Sequence, residues 1–451
     1  MMKTTKSASK KAAVSKVALP PELEAIAQTV IEHKLPNGLK IRLLPSDAVP
    51  TCTFYTFFRV GSRNERPGIT GISHLFEHMM FNGAKRYGPG EFDKVLESNG
   101  GSSNAYTSND VTVYYEDFMA EALERVVDLE SDRMRSLQVT PKMLASERQV
   151  VIEERRLRVD NEISGMMDEE LSCLIYKAHP YRWPVIGWMK DIEAIKREDC
   201  LEFFRTYYAP NNATVYIAGD FDPKQALKLI KKYYAGIKAG PPVPLVQDSE
   251  PEQKGERRAD VHHPAQAPSL MIAWRGPNAT DPDTLVLDVL QYALSVGQSS
   301  RLTKSMVYAK EIAVSVSVDW SWRFDPGSFV IGIELKPGSD PRLAEAALYE
   351  ELAHVVREGL TEKELQKAKN NLSAHLLREL STNNGRAHAL GSYETMLGHW
   401  REGLALASRY ETVTGEQVRA AAARYLDASR RSVVTLVPIL EESAVSAAEA
   451  A

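Results

Sequence analysis

The stretch Gly71-Ile-Ser-His-Leu-Phe-Glu-His-Met-Met-Phe81 carries two histidines and a glutamate in the order H-x-x-E-H. On a helix, His74 and His78 are one turn apart, so both imidazoles leave the same face and can bind one metal ion. Glu77 lies on that face as well, close enough to hold a catalytic water. Imidazole ligands suit Zn²⁺, and a catalytic zinc site needs a third protein ligand. The alternative is a buried helix with two core histidines.

The candidate third ligand comes from a second predicted helix, which begins near Thr140-Pro141 and continues to about Val159. Glu147 and Glu154 are seven residues apart on it, two turns along one face. We expect Glu154 to be the ligand and Glu147 to support the site from behind it. The alternative is a solvated acidic face paired with neighbouring arginines, and the charge pattern does not separate the two. Those arginines are Arg148, Arg155 and Arg156.

Length and composition describe a globular chain of more than one domain. At 451 residues it is too long for one ordinary core, and it is 43% hydrophobic and 25% charged. The net charge of −5 argues against a nucleic-acid partner, and no apolar run is long enough for a membrane span. Three cysteines without C-x-x-C spacing predict neither disulfides nor a thiolate zinc site. A reducing, cytoplasmic location is therefore expected, with periplasm or an organelle left open.

An internal repeat and a change in composition divide the chain into two halves. Residues 195–215 align without gaps with residues 413–433, an offset of 218 positions, and both segments predict helix, turn and strand. Proline and glycine concentrate between the copies, and five lysines lie among the first sixteen residues. The predicted divisions are a disordered basic tail (1–28), a zinc-binding domain (29–236), a linker (237–255), a related domain without zinc (256–440) and a flexible tail (441–451).

These motifs together resemble the inverted-zinc-motif metallopeptidases, which include pitrilysin, insulin-degrading enzyme and the mitochondrial processing peptidase. The resemblance covers about residues 30–438, and the 76 positions between His78 and Glu154 agree with the family spacing. The matching segments are Gly71-x-x-His-Leu-Phe-Glu-His-Met-Met-Phe-x-Gly83, Glu147-Arg-Gln-Val-Val-Ile-Glu-Glu154, Gly101-Ser-Ser-Asn-Ala-Tyr-Thr-Ser108, His179-Pro-Tyr and Tyr208-x-Pro-Asn-Asn-Ala.

The resemblance implies an α+β fold of two related domains, each a mostly antiparallel β-sheet packed with helices. It implies a zinc metalloendopeptidase with one Zn²⁺ per chain, bound by His74, His78 and Glu154. Glu77 is then the catalytic residue that moves the proton of the attacking water. The peptide substrate is expected to bind as an added strand along Asn104, Ala105, Tyr106 and Thr107, within residues 104–115, whose alternation predicts one strand.

One segment departs from the family pattern. After Ser299-Ser-Arg-Leu302 the family has an arginine and, seven positions later, a tyrosine, and here those positions hold Val307 and Val314. Arg301 and Tyr308 are seven apart but out of register. The departure is similar to the zinc-bearing subunit of heterodimeric members, so we expect a homologous non-zinc subunit that supplies Arg and Tyr, or a homodimer. A non-catalytic scaffold or peptide-binding subunit of the same fold is the alternative.

Overall fold

The computed structural model describes residues 17–246 and 250–439. The lysine-rich part of the predicted basic tail, residues 1–16, and the predicted flexible tail, residues 441–451, lie outside this description. The described residues form two mixed sheets with helices packed on them, which confirms the predicted α+β fold class. In this part of the chain, no helix combines the length and the apolar character that crossing a bilayer requires.

The first sheet has six strands in the order β1-β2-β6-β3-β5-β4, and only its β2–β6 pair is parallel. A turn at Asn37-Gly38 joins β1 to β2, and Gly38 has a φ of 98°, which favours glycine. The strands are β1 (Ile31–Lys34), β2 (Lys40–Pro45), β3 (Thr51–Phe58), β4 (Ser102–Thr107), β5 (Thr112–Met119) and β6 (Ala213–Gly219).

The helices of the first half lie before, between and after these strands in the chain. They are α1 (Pro21–Thr29), α2 (Ile72–Met79), α3 (Glu91–Glu97), α4 (Leu123–Ser136), α5 (Pro141–Arg155), α6 (Ile163–Ile175), α7 (Met189–Ala194), α8 (Arg197–Tyr207) and α9 (Pro223–Tyr234). A π-helical turn, Arg156–Asp160, continues α5. The predicted disorder of residues 21–28 is wrong, because α1 buries Leu23 and Ala27 against the rest of the protein.

The second sheet has five strands in the order β7-β11-β8-β10-β9, and only its β7–β11 pair is parallel. Its strands are β7 (Arg257–Pro264), β8 (Ser269–Arg275), β9 (Ala313–Trp320), β10 (Ser328–Leu335) and β11 (Arg431–Ile439). The accompanying helices are α10 (Asp283–Ser295), α11 (Pro341–Glu358), α12 (Glu362–Glu379), α13 (Asn383–Leu397), α14 (Trp400–Leu404), α15 (Leu406–Thr412) and α16 (Gly415–Tyr425).

The two sheets share one plan. The order β2-β6-β3-β5-β4 in the first corresponds to β7-β11-β8-β10-β9 in the second, and the parallel pair falls at the same place in both. The helices that precede β6 and β11 are α8 and α16, whose bounds differ by the same 218 residues as the sequence repeat. The repeated segments therefore have the same structure, and the division of the chain into two domains at 237–255 stays a prediction.

Each half covers the sheet of the other with one helix. The α6 residues Met167 and Leu171 share a core with Val434 and Leu436 of β11. In return, α13 packs on β3 and β6, where Gly391 lies so close to the Phe57 ring that no Cβ would fit between them. The two halves thus bury apolar surface against each other, which stabilises both sheets.

A two-sided environment explains the aromatic run of β3. Phe54 and Phe58 pack with the core around α2, whereas Tyr55 and Phe57 point to the opposite face and join a core that the second half supplies. A strand that is buried on both faces is apolar throughout and shows no alternation. Beside it, the predicted single strand over 104–115 is wrong, since Ser108, Asn109 and Asp110 form a polar turn between β4 and β5.

Candidate metal centre and substrate cleft

Helix α2 exposes its polar residues on one side only. Ile72, Leu75, Phe76 and Met79 are buried in the core of the first half. The remaining face carries His74, Glu77 and His78, which are partly exposed. The apolar residues thus fix the rotation of the helix, and this rotation points the three polar side chains toward α5 and β4, against which α2 packs.

The N-terminus of α2 is held by a buried carboxyl group. Glu65 is 7% exposed and accepts hydrogen bonds from the backbone N–H groups of Gly71 and Ser73, both at 2.8 Å. Burial raises the pKa of Glu65 to about 8, while those two hydrogen bonds oppose the shift. Its oxygens satisfy backbone donors that the helix leaves free, which positions the start of the helix. The sequence pattern did not single out Glu65.

A close backbone contact fixes the same end of α2 from the other side. Gly71 has a φ of 87°, and a Cβ on it would lie 2.3 Å from the carbonyl oxygen of Ile186. The neighbouring Gly187 also has a φ of 87° and would clash with Thr70 in the same way. Only glycine tolerates both the left-handed backbone and this approach. The contact locks α2 against the segment that follows α6.

The second predicted helix brings its glutamates to the two histidines. Glu154 Oε2 lies 3.2 Å from His78 Nε2 and 3.6 Å from His74 Nε2. One ligand atom from each of the three residues can be chosen so that all lie within 4.8 Å of one another. Glu147 Oε2 is 3.8 Å from His78 Nδ1, on the side of the ring away from Glu154. The structure thus places all four residues together.

The donor set fits a zinc ion. A tetrahedral zinc with bonds of about 2.0–2.1 Å separates its ligand atoms by about 3.4 Å, close to both distances from Glu154 to the imidazoles. Burial and the neighbouring His78 lower the pKa of His74, so its imidazole is neutral and has a lone pair to donate. Its Nδ1 is buried and has no hydrogen-bond partner among the described residues.

The arginines near these glutamates are engaged elsewhere. Arg148 donates to the carbonyl of Ile195, and Arg155 donates to the carbonyl of Gly187 at 2.7 Å. Arg156 pairs with Glu153 on the exposed side of the helix. The alternative of an acidic face in which these three arginines pair with Glu147 and Glu154 is therefore wrong.

Glu154 has a different cationic neighbour. Arg158 Nε lies 3.0 Å from Glu154 Oε1, the oxygen that does not face the histidines. The hydrogen bond from His78 is the first cause that lowers the pKa of Glu154, and Arg158 adds to it. Arg158 follows Glu154 by four positions, so helical spacing could have identified it from the sequence.

β4 forms the free edge of the first sheet. Among the described strands, β4 pairs with β5 alone. The Ala105 N–H donates to the Asn104 side chain at 2.8 Å, and Ala105 packs with the α2 core. Tyr106 points to the other face, where its hydroxyl lies 3.2 Å from His388 Nε2 of α13. Backbone groups, rather than the Tyr106 ring, are thus what this edge presents.

A cleft of about 500 Å³ extends from the metal-binding cluster. His74, Glu154 and Thr107 lie at one end of it, and the remaining lining comes chiefly from α6 and from residues 181–186. Arg323, in the loop between β9 and β10, is the contribution of the second half. The metal-binding cluster, the end of β4 and a surface of the second half therefore share one cavity.

The two halves of the chain match different family descriptions. Residues 42–187 match the family described as Insulinase (Peptidase family M16), and residues 194–372 match the one described as Peptidase M16 inactive domain. Across residues 17–246 and 250–439 the only cluster of three metal-ligating side chains is His74, His78 and Glu154, and it lies in the first of these two matches.

Similar proteins span almost the whole chain. It is 32% identical over 367 residues to zinc protease PqqE of Helicobacter pylori, across 80% of this chain and 82% of the relative. It is 24% identical over 419 residues to the probable mitochondrial-processing peptidase subunit beta of Arabidopsis thaliana, across 90% and 78%. The crystal structure of a protease from Helicobacter pylori superposes with a TM-score of 0.87 at 29% identity and covers 91% of this chain and 99% of that one.

Proposed function

We propose that this chain, which belongs to peptidase family M16, is a zinc metalloendopeptidase that cleaves peptides or unfolded segments. The observation that supports the proposal most strongly is the convergence of His74, His78 and Glu154 next to Glu77, with His74 and Glu154 lining a cleft. The first half performs the chemistry in this proposal, and the second half closes one side of the cleft.

The roles follow from the positions of the side chains. His74, His78 and Glu154 would hold one Zn²⁺ per chain, and Glu147 orients the His78 ring through its Nδ1 side. When bound, zinc polarises a carbonyl and lowers the pKa of water to about 7. The carboxylate of Glu77 takes the proton of the attacking water and passes it to the leaving amine.

The surroundings of Glu77 suit proton transfer. Burial raises the pKa of Glu77, while Thr107 and His78 partly oppose that shift. A carboxyl group with a raised pKa is a stronger base and also a usable acid near neutral pH. Thr107 is the last residue of β4, so Glu77 lies between the metal ligands and the edge where we place the substrate.

The substrate binds, in this proposal, as an added strand on β4. Asn104, Ala105, Tyr106 and Thr107 would offer backbone N–H and C=O groups to it, as the free edge of a sheet does. Binding of this kind depends on backbone hydrogen bonds and tolerates many sequences. The Asn104 side chain accepts a hydrogen bond from the Ala105 N–H in this structure. In the proposal, the bound peptide replaces the Asn104 side chain as the acceptor of that N–H.

The decisive experiment replaces the proton carrier without removing a ligand. Purified Glu77→Gln protein should bind one zinc per chain, as the wild type does, and should cleave an unfolded test protein about 10²–10⁴-fold more slowly. Zinc is measured by mass spectrometry and cleavage by the release of new amino termini. Glu153→Gln is the matched control, since Glu153 is exposed on α5 and pairs with Arg156.

Two results would contradict the proposal. Zinc-loaded wild type that cleaves no peptide, alone or with candidate partners, would favour the non-catalytic scaffold or peptide-binding subunit. Equal cleavage rates for Glu77→Gln and wild type would assign the chemistry to another group.

The partner is the second component of the proposal. Val307 packs against the core of the second half, and Val314 is 56% exposed on the edge strand β9. Neither side chain can supply the cation or hydroxyl that the family has at these positions. We propose that a homologous non-zinc subunit provides Arg and Tyr. A purified homodimer of this chain that cleaves peptides at full rate without any other protein would overturn that part.

A further inference from the structure

The cleft contains two arginines with different environments. Arg158 pairs with Glu154 at 3.0 Å. Arg323 is partly buried, yet within the described residues its guanidinium has neither an ion pair nor a hydrogen bond. Its guanidinium lies over the ring of Tyr181, whose centroid is 4.7 Å away. Arg323 is thus a cation in a cavity with an aromatic support, and no carboxylate of the described residues lies within ion-pair distance of it.

The loop that carries Arg323 is fastened to the first half directly after this residue. The Phe324 N–H donates to Asp110 Oδ2 at 3.1 Å, and the Asp325 N–H donates to the Tyr181 hydroxyl at 3.2 Å. Asp325 also contacts His179 Nε2 at 3.0 Å and pairs with Arg63. These contacts fix the backbone, so the position of Arg323 costs little further ordering when a ligand binds.

Two of the acidic groups close to this loop already have partners, and a third, Asp168, lines the cleft with its pKa raised by burial and by Asp319, which favours its neutral form. Asp110 accepts from the hydroxyl of Tyr181 at 2.7 Å and lies 3.4 Å from Arg63, in addition to its contact with Phe324. Within the cleft, Glu169 is held by Arg155 at 2.8 Å. A guanidinium with five donors, placed over a ring and without a carboxylate of the described residues at ion-pair distance, is suited to bidentate binding of an external one.

The position of Arg323 relates this cation to the substrate path. Thr107 ends β4, and both Thr107 and Asn109, two residues further on, line the same cleft as Arg323. A peptide that lies along β4 and continues beyond Thr107 therefore passes into the space that Arg323 borders.

We propose that Arg323 binds a carboxylate of the substrate, either an acidic side chain or a free C-terminus, and so sets a preference among peptides that backbone pairing alone does not distinguish. The inference rests on the proposed function for the location of the peptide, and it assigns to the second half of the chain a direct part in substrate selection.

The test measures binding separately from hydrolysis. Fluorescent peptides of one sequence are compared in matched pairs, Asp against Asn at each position and a free against an amidated C-terminus, on Glu77→Gln protein. We expect at least one carboxylate peptide to bind about 10-fold or more tightly than its amide. Adding Arg323→Gln should abolish that difference, and Arg323→Lys should restore part of it, which a purely structural role would not show.

Arg342→Gln is the matched control, because Arg342 is an exposed arginine of the second half that pairs with Asp340. It should leave the preference unchanged. A position-dependent effect of Asp identifies a side-chain carboxylate, and an effect of amidation identifies the C-terminus. Equal binding within every pair, no peptide binding at all, or a preference that survives Arg323→Gln would overturn the inference. A preference found in a protein whose wild type cleaves nothing would instead refute the proposed peptidase and keep the role of Arg323.

Discussion

Two helices occupy equivalent places in the two halves and differ in how their polar groups are satisfied. α2 follows β3 and packs against α5, and α10 follows β8 and packs against α12. On α10, the fully buried Asp288 accepts hydrogen bonds from the Tyr410 hydroxyl at 2.7 Å and from Trp322 Nε1 at 2.9 Å. On α2, His74 and His78 face Glu154 and a cavity.

The difference shows that the shared sheet plan determines where a polar group lies. The residues around that group determine whether it serves packing or ligand binding. Asp288 has donors on both oxygens, so it needs no ligand and contributes to the packing of the second half. The α2 cluster consists of two imidazoles and a carboxylate that a cation can satisfy together. A function resides in such a site and not in the fold that carries it.

The largest expected effect is the loss of zinc affinity when a ligand on α2 is removed, with removal of the buried carboxyl on α10 as the comparison. His78→Ala should weaken zinc binding by roughly 4 kcal/mol, about 1,000-fold, because zinc loses one of three protein ligands. Asp288→Asn, its counterpart on α10, should bind zinc like the wild type. Titration calorimetry on metal-free protein measures both affinities. Unchanged zinc affinity in His78→Ala would place the metal elsewhere.

A smaller effect should separate backbone strain from steric contact at the start of α2. Gly68 and Gly71 have φ values of 93° and 87°, but a Cβ on Gly68 would meet no atom within 4 Å. Alanine costs roughly 1–2 kcal/mol at either site from the backbone alone. Gly71→Ala should cost roughly 3 kcal/mol more, because its Cβ meets the Ile186 carbonyl. Denaturant unfolding compares the two, and equal losses would show that the segment after α6 gives way.

The third effect is spread over several pH units and concerns α10. Burial raises the pKa of Asp288 to about 7. Its unfolded value is near 4, so the folded protein holds this proton more strongly. As the pH rises from about 4 to 7, the free energy of unfolding should therefore fall by at most about 1.4 kcal/mol per pH unit. Above pH 7 it should level off. Asp288→Asn removes that contribution, and melting temperatures across this range measure the difference. Parallel pH profiles would show that Asp288 is ionised throughout.

The sequence predicted the parts of the site that depend on helical spacing. His74 and His78 lie on one face of α2, and Glu147 and Glu154 lie on one face of α5, so periodicity alone placed them. The family resemblance and the α+β class are confirmed by the matches and by the sheets. The turn at Ser108–Asp110 was missed, although three consecutive polar residues of this kind favour a turn.

Contacts between distant segments could not be predicted in this way. Glu65 caps a helix that begins after a loop, and no helical or strand period connects it with Gly71. Arg323 is 169 positions from Glu154 and reaches the cleft only because its loop is fastened to Asp110 and Tyr181. Such groups depend on the packing of the two halves, which a single sequence does not reveal.

Helices α6 and α13 each pack on the sheet of the other half, which matters if the chain is cut between the two halves. Leu245 is 85% exposed between the two halves, where a protease could cut. The resulting fragments would each keep a helix that covers the other's sheet, as Met167 covers β11 and Gly391 covers β3. Separating them would expose both apolar faces to water, so the fragments should remain a tight complex, with the cleft and its metal ligands intact.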